Sequence, residues 1–154
     1  MSGKVISVHI TPKAEAPMTA VDEVRAETGL GLEGDRYHAH TGTYSETLGT
    51  GRDVTFIAAE VIEEIAREHG ISLAPGESRR NLTTKGIDLN ALVDKEFRVG
   101  DVALRGMRLC EPCEYLQSHT GKDGLLKALV HRGGLRAEII RGGTIRVGDE
   151  IAAS

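Results

Sequence analysis

The alternation of apolar and polar residues along the chain predicts a fold built mainly from short strands. Residues Lys4–Ile10 alternate between the two classes and are rich in β-branched side chains, a pattern typical of a strand. Similar apolar runs predict strands at Asp53–Ala58, Val102–Leu109 and Leu135–Ile140. A weaker alternation at Val21–Glu27 predicts one more strand. Strands therefore outnumber helices in this sequence.

Two segments have a helical pattern instead. Residues Ala59–His69 carry apolar side chains on one face, with acidic residues near the start and basic residues near the end, as the helix dipole favours. Gly70 follows directly and predicts the end of that helix. A second helix is predicted to begin at Thr120 as its N-cap, with Asp123 three residues later, and to end before Gly133.

The tetrapeptide Arg-Val-Gly-Asp occurs twice, at residues 98–101 and 146–149, each time between two predicted strands. We interpret both copies as strand–turn–strand corners of the same kind, as found in barrels. Four residues are too few to define a repeat unit.

Composition limits the class of protein. The 154 residues suit one domain, spanning residues 1–154, and no low-complexity linker divides them. A net charge of −4 argues against non-specific binding to nucleic acid, which needs a basic face. The short apolar run at the start does not suit a signal peptide, and no run suits a membrane span. We therefore expect a cytoplasmic protein that binds neither nucleic acid nor membranes.

Both cysteines of the chain lie in one short segment, as Cys110 and Cys113 with Pro112 between them. Proline prevents the preceding strand from continuing through this position. In a reducing compartment such a pair is expected to bind a metal or to perform redox or nucleophilic chemistry, rather than to form a structural disulfide. Cys110 adjoins the buried-looking strand Val102–Leu109, so inert packing is the simpler expectation for that thiol.

Two polar segments are candidates for binding. Residues 77–86 contain Arg79, Arg80 and Asn81 next to hydroxyl side chains and glycines, a set of groups suited to an oxyanion. The alternative is a solvated basic turn. The glycine-rich stretch 28–52 contains a His-x-His pair, His38 and His40, which are either metal ligands or solvated loop residues.

Five motifs occur in an order that resembles the MOSC domain, the module named after the C-terminal part of molybdenum-cofactor sulfurases. They are Gly31–Arg36, Arg79–Gly86, Cys110–Cys113, His131–Ala137 and Gly142–Asp149, and together they extend over nearly the whole chain. The resemblance implies a compact, stand-alone member. It also implies a mainly β fold with a few helices (α+β), namely a β-barrel with helices packed outside.

The resemblance also implies a function centred on Cys113, the cysteine that follows the proline. Family members are thought either to bind molybdenum cofactor (molybdopterin) through this thiolate, some of them as reductases of N-hydroxylated compounds, or to carry sulfur on it as a persulfide for metal–sulfur centres. The cofactor-binding residues would be Arg79, Arg80 and Asn81, together with Gly34, Asp35 and Arg36. In the family a histidine often follows the last arginine, whereas here Tyr37 separates it from His38.

The resemblance implies a small-molecule cofactor or substrate, and a cysteine desulfurase or a redox protein as partner. Pyridoxal phosphate is linked to the family through fused desulfurases and is not expected on this chain. Cys110 would suit the carrier, because a second thiol can resolve a persulfide by forming a disulfide. A different class of function is a zinc-binding or redox module in which Cys110, Cys113, His38 and His40 surround the metal. The remaining alternative is that both cysteines are inert.

Overall fold

The structure, a computed structural model, describes residues 2–11, 18–28, 31–35, 53–73, 76–109, 124–129 and 132–153. The elements in these ranges are β1 (Ser2–Ile10), β2 (Thr19–Val21), β3 (Glu23–Glu27), β4 (Gly31–Leu32), β5 (Val54–Ala58), α1 (Ala59–His69), β6 (Leu82–Lys85), a 3₁₀-helix (Leu89–Leu92), β7 (Glu96–Val99), β8 (Val102–Leu109), α2 (Leu125–Ala128), β9 (Leu135–Arg141), β10 (Gly143–Arg146) and β11 (Glu150–Ala153).

Seven of these strands close into a barrel. Their order around it is β1–β11–β7–β8–β9–β5–β6, and β6 pairs with β1 to complete the ring. The pair β5–β6 is parallel and the other neighbours are antiparallel. β2 adds to β1 outside the ring, and β10, β3 and β4 form a separate three-stranded sheet. The predicted mainly β barrel is confirmed.

Strand β5 separates two hydrophobic cores, because its side chains are buried on both faces. Phe56 belongs to the barrel core, where its ring meets Phe97 edge to face with centroids 5.6 Å apart. Ile57 faces the opposite way and packs with Ile65 of α1 and Leu125 of α2. The helices therefore lie outside the barrel, as the resemblance implied, and they cover β5 rather than fill the ring.

The first helix has the predicted bounds. It begins at Ala59 and ends at His69, and Gly70 adopts the left-handed conformation with its N–H bonded to Ala66 O. The predicted start of the second helix at Thr120 lies outside the described residues. What the structure describes of that helix is the four residues Leu125–Ala128.

Two predictions about strands were wrong in detail. Residues Val21–Glu27 form parts of two strands, because the chain changes sheet at Asp22 and continues as β3 in the three-stranded sheet. The two Arg-Val-Gly-Asp corners also differ. The first joins β7 to β8 as a hairpin, whereas the second leads from β10, which pairs with β3, to β11, which pairs with β1 and β7. Four residues cannot encode which sheet the next strand joins.

In the part of the chain that the structure describes, no helix is both long and apolar enough to cross a membrane.

Candidate functional site

The end of β1 is where two of the predicted motifs meet. The His9 N–H donates to Asn81 O at 2.7 Å, and the Asn81 side chain donates through Nδ2 to His9 O at 3.1 Å. Two residues later, the Thr11 N–H donates to Asp35 Oδ1 at 3.2 Å. The structure therefore brings Gly34 and Asp35 to the same strand end as Asn81. Arg36 lies outside the described residues.

Asn81 joins three segments of the chain. Its Oδ1 accepts hydrogen bonds from the Thr55 N–H and the Thr55 hydroxyl, both at 3.1 Å, and its Nδ2 reaches β1 as described above. The side chain is fully buried. Within the described residues, these bonds occupy Oδ1 and one of the two Nδ2 hydrogens. The role of Asn81 as a cofactor ligand stays a prediction.

The two arginines before Asn81 are buried, with exposed fractions of 5% for Arg79 and 8% for Arg80. Arg80 donates through Nε to Gly133 O at 2.9 Å and through Nη1 to Ser78 O at 3.3 Å. Arg79 has a φ of 64°, a left-handed conformation that non-glycine residues rarely adopt. The alternative of a solvated basic turn is therefore wrong. Residues 79–81 lead directly into strand β6 within the fold.

The pairing of four strands places Leu109, the last residue before the cysteine segment. Leu82 of β6 pairs with Phe56, Phe56 with Leu135 of β9, and Leu135 with Leu109, the last residue of β8. Gly134 precedes this row and lies so close to β5 that a Cβ there would be 1.7 Å from Phe56 O. Cys110 follows Leu109 directly and Cys113 comes three residues later, and both lie outside the described residues.

Arg132 connects the Gly133–Gly134 segment to the first helix. Its Nη1 lies 3.1 Å from Glu64 Oε2 and 2.9 Å from Glu68 Oε2, and its Nε donates to Ala128 O at 2.7 Å. Because Arg132 and both glutamates are partly exposed, solvent screens these ion pairs and their contribution to stability is modest. They link Arg132, three residues before β9, to the first helix.

A cleft of about 460 Å³ lies beside this segment. Its wall includes Gly134, the first turn of α1 with Glu60, and the loop from Gly86 to Asn90. The Glu60 carboxylate is held there by the Gly86 N–H, which donates to Oε2 at 2.8 Å. The cleft therefore borders Gly134, the residue before β9, and it is large enough for a small organic molecule.

His9 is a residue of this region that the sequence analysis missed. Strand alternation placed Val5, Ser7 and His9 on one face, but the pairing of β1 with β6 shifts register between Val5 and Ser7. Val5 and Val8 therefore both face the core, and His9 faces outward, yet it is only 2% exposed. Burial lowers the pKa of its imidazole. A histidine within a β-strand pattern carries no signal of such burial.

The metal-binding alternative is not tested by the structure. Among the described residues, no group of three or more His, Cys, Asp or Glu side chains could hold a metal ion. The four proposed zinc ligands, His38, His40, Cys110 and Cys113, all lie outside those residues.

Comparison of the chain with solved structures identifies its architecture. The YuaD protein from Bacillus subtilis is similar with a TM-score of 0.78 and 22% identity, covering 98% of this chain and 94% of that one. YiiM from Geobacillus stearothermophilus is similar with a TM-score of 0.76 and 14% identity, covering 99% of this chain and 75% of that one. YiiM from Escherichia coli is similar with a TM-score of 0.70 and 21% identity, covering 98% of this chain and 69% of that one. At these identities the likeness shows the fold alone.

The fold and the buried arginine–asparagine segment thus define a barrel protein with a polar site at the strand ends. A family model for the MOSC domain matches residues 39–152, and the chain belongs to the MOSC domain family. The match includes Arg79–Asn81 and both cysteines, whereas Gly34–Arg36 precede it. No functionally curated protein matches the chain.

Proposed function

We propose that this MOSC-domain protein binds molybdenum cofactor through the Cys113 thiolate and reduces N-hydroxylated compounds. The observation that carries the proposal is the hydrogen bond from the buried Arg80 Nε to Gly133 O. This bond joins Arg80 to the segment just before β9. The first residue of β9, Leu135, pairs with Leu109, which directly precedes the cysteine segment. The covalent chain keeps the Cα of Cys113 within roughly 14 Å of the Cα of Leu109.

The described residues fit an anionic cofactor in their chemistry. Arg79 and Arg80 supply two guanidinium groups in a buried setting, where a charge-assisted hydrogen bond to a phosphate is stronger than at the surface. Asn81 holds this segment against β5 and β1, so the arginines start from a fixed backbone. Asp35 is tied to the same strand end through Thr11. We assign the phosphate to Arg79 and Arg80, and the metal to Cys113.

The cofactor, when bound, supplies the two electrons that N–O reduction needs. The overall change is N–OH plus two electrons and two protons to N–H plus water, and a redox partner provides the electrons. The substrate would bind in the cleft beside Gly134. Glu60 lies in its wall with Oε2 fixed by Gly86, so its carboxylate can accept a hydrogen bond from a substrate N–H or N–OH.

The test is elemental analysis with intact mass on the full chain, purified from a host that makes molybdenum cofactor. We expect molybdenum in the parent and in Cys110→Ser, and none in Cys113→Ser. Arg80→Gln should lower the molybdenum content, and the matched control Arg98→Gln, an exposed arginine on β7, should not. Equal molybdenum in the parent and in Cys113→Ser would exclude the proposed ligand.

A sulfur carrier is the second candidate, and the presence of Cys110 three residues before Cys113 favours it. In that reaction the Cys113 thiolate attacks the outer sulfur of a donor persulfide, a new S–S bond forms, and the donor leaves as a thiolate. The product would be about 32 Da heavier, as expected for one added sulfur atom. A protein without molybdenum that gains this mass from a cysteine desulfurase and free cysteine, at Cys113 alone, would be a carrier.

A further inference from the structure

The cleft before β9 has more negative than positive charge in its wall. The charged residues that line it, within the described ranges, are Glu60, Asp88 and Arg132. The guanidinium of Arg132 is already bonded to two further carboxylates of α1, those of Glu64 and Glu68. The wall and its direct ion-pair partners therefore combine four carboxylates with one guanidinium.

The Glu60 carboxylate is fixed between two parts of this wall. It extends from the first turn of α1, and its Oε2 accepts the Gly86 N–H at 2.8 Å. Its Oε1 is buried and accepts no hydrogen bond from the described part of the chain. A carboxylate that is partly withdrawn from water attracts a cation more strongly than one in bulk solvent. Glu60 is therefore suited to act as a counter-ion.

Asp88 adds a second carboxylate from a different element of the wall. Its Oδ1 accepts the Asn90 N–H at 3.0 Å at the start of the 3₁₀-helix, and the residue is exposed. Lys85, the residue before Gly86, is not among the described residues that line the cleft. The two carboxylates of the wall thus each accept a backbone N–H, which holds both negative charges in place.

The chemistry of the wall defines the class of ligand that suits it. A phosphate or carboxylate group would be repelled by Glu60 and Asp88, whereas a protonated nitrogen would be attracted. Apolar side chains supply surface for the carbon part of such a ligand, namely those of Ala58, Val61, Ile87 and Leu89. This preference is opposite to that of the buried arginines before β6, which suit an anion.

We propose that the cleft selects ligands that carry a positive charge, and that Glu60 is the residue that determines this specificity as the counter-ion of the charged nitrogen. The inference rests on the proposed function for the nature of the ligand, which would be the N-hydroxylated substrate. It narrows that substrate to compounds that also carry a protonated nitrogen, such as an ammonium or guanidinium group.

The first test compares three probes of similar size that differ in charge: benzylammonium, benzyl alcohol and benzoate. Each is titrated into the full chain at neutral pH and followed by NMR of the backbone amides. We expect the amide signals of Gly86 and Gly134 to shift with benzylammonium at roughly millimolar concentration, and not with the other two. Added salt should weaken the binding through screening. Equal binding of benzoate, or no shift with benzylammonium, would overturn the proposal.

The second test removes the charge of Glu60 and keeps its hydrogen bond. The amide oxygen of Glu60→Gln can still accept the Gly86 N–H, so we expect a melting temperature close to that of the parent. The dissociation constant of benzylammonium should rise roughly tenfold, as the loss of one charged partner predicts. An unchanged constant would rule out Glu60 as the counter-ion.

Asp88→Asn is a second variant, at an exposed position where the asparagine oxygen can still accept the Asn90 N–H. It keeps the proposal testable if Glu60→Gln does not fold. Because solvent screens an exposed charge, we expect the dissociation constant of benzylammonium to rise only about threefold. The same constant in Asp88→Asn and the parent would contradict an anionic cleft.

Glu63→Gln is the matched control. It removes the same charge from the same helix, at an exposed residue that lines a different pocket. We expect it to bind benzylammonium with the parent's affinity. A loss of affinity equal to that in Glu60→Gln would mean that the overall charge of the helix attracts the probe, and the specific role of Glu60 would be refuted.

Molybdenum analysis distinguishes failure of this inference from failure of the proposed function. A parent that lacks molybdenum but binds benzylammonium, with weaker binding in Glu60→Gln, would support the cation site and reject the cofactor proposal. A parent that holds molybdenum through Cys113 but binds benzoate as well as benzylammonium would overturn the cation site and leave the cofactor proposal standing.

Discussion

Thr55 of β5 and Asn81, the residue before β6, bond each other reciprocally: the side chain of each accepts a hydrogen bond from the backbone N–H of the other. The Asn81 N–H donates to the Thr55 hydroxyl at 3.0 Å, and Asn81 Oδ1 accepts both the hydroxyl and the N–H of Thr55 at 3.1 Å. Both residues are buried, at 3% and 0% exposure. Side-chain hydrogen bonds therefore hold Asn81 against β5, one residue before the backbone pairing of β6 with β5 begins at Leu82.

This pair predicts a large effect of Asn81→Ala on stability. The substitution leaves the Thr55 N–H and the His9 carbonyl buried without their partners, and we expect the free energy of unfolding to fall by about 2–4 kcal/mol. Urea denaturation of the parent and of Asn81→Ala measures this loss in the free energy of unfolding.

Thr55→Val is the companion variant, and it should cost about 1–2 kcal/mol because one buried N–H loses its acceptor. The double variant should cost less than the sum of the two, since the residues share bonds. Additive losses would mean that the two side chains act independently.

The left-handed backbone at Arg79 predicts a difference between two substitutions. Arg79→Ala and Arg79→Gly both remove the guanidinium, but alanine retains a Cβ at a φ of 64°. We expect the glycine variant to be the more stable of the two by about 1 kcal/mol. Denaturant titration of the two proteins side by side measures this difference.

Asp94 supplies the control for that comparison, with a φ of 63° at an exposed position. Asp94→Gly should again be more stable than Asp94→Ala by about 1 kcal/mol. If glycine and alanine were equally stable at both positions, backbone strain would have no part in the behaviour of Arg79.

The buried His9 predicts a pH dependence of stability. Burial lowers its pKa in the folded protein below the ordinary value of 6.5, so protonation favours the unfolded chain. The stability that depends on neutral His9 is complete above pH 6.5 and is lost as the pH falls from there through the folded-state pKa. In that window the slope from this one residue is at most about 1.4 kcal/mol per pH unit.

The measurement is the free energy of unfolding of the parent and of His9→Leu between pH 5 and 8. The difference between the two curves should open below about pH 6.5, with the parent falling relative to the variant. Parallel curves over the whole range would show that the His9 pKa is the same in the folded and unfolded states.

The close approach of Gly134 to β5 predicts that this position tolerates no side chain. A Cβ would overlap Phe56 O, and the φ of 110° is itself unfavourable for other residues. We expect Gly134→Ala to lower the free energy of unfolding by at least about 3 kcal/mol.

Gly148→Ala is the matched control, because Gly148 also has a positive φ, 93°, but has open space around its Cα. Its cost should be about 1–2 kcal/mol, from backbone strain alone. Thermal melts of the two variants compare them directly, and equal losses would mean that contact with Phe56 contributes nothing.

Local pattern was sufficient for much of the fold. Alternation predicted the strands that became β1, β5, β8 and β9, and the apolar face with its glycine stop predicted α1 with its observed bounds. These features depend on residues a few positions apart, whose φ/ψ preferences and side-chain period act within one element. The motif resemblance added the family and the barrel, which the family model and the solved structures confirm.

Tertiary structure alone decided how the candidate site is built. The bonds that define it join residues far apart in sequence, by 26 positions for Thr55–Asn81, 53 for Arg80–Gly133 and 72 for His9–Asn81. The sequence by itself determined that Arg79, Arg80 and Asn81 form a polar group. Only the closed ring of strands determined that they are buried, that Asn81 holds the backbone, and that His9 lies against the turn at Gly76. Burial and hydrogen-bond pairing are properties of the three-dimensional neighbourhood, and no periodicity along the chain encodes them.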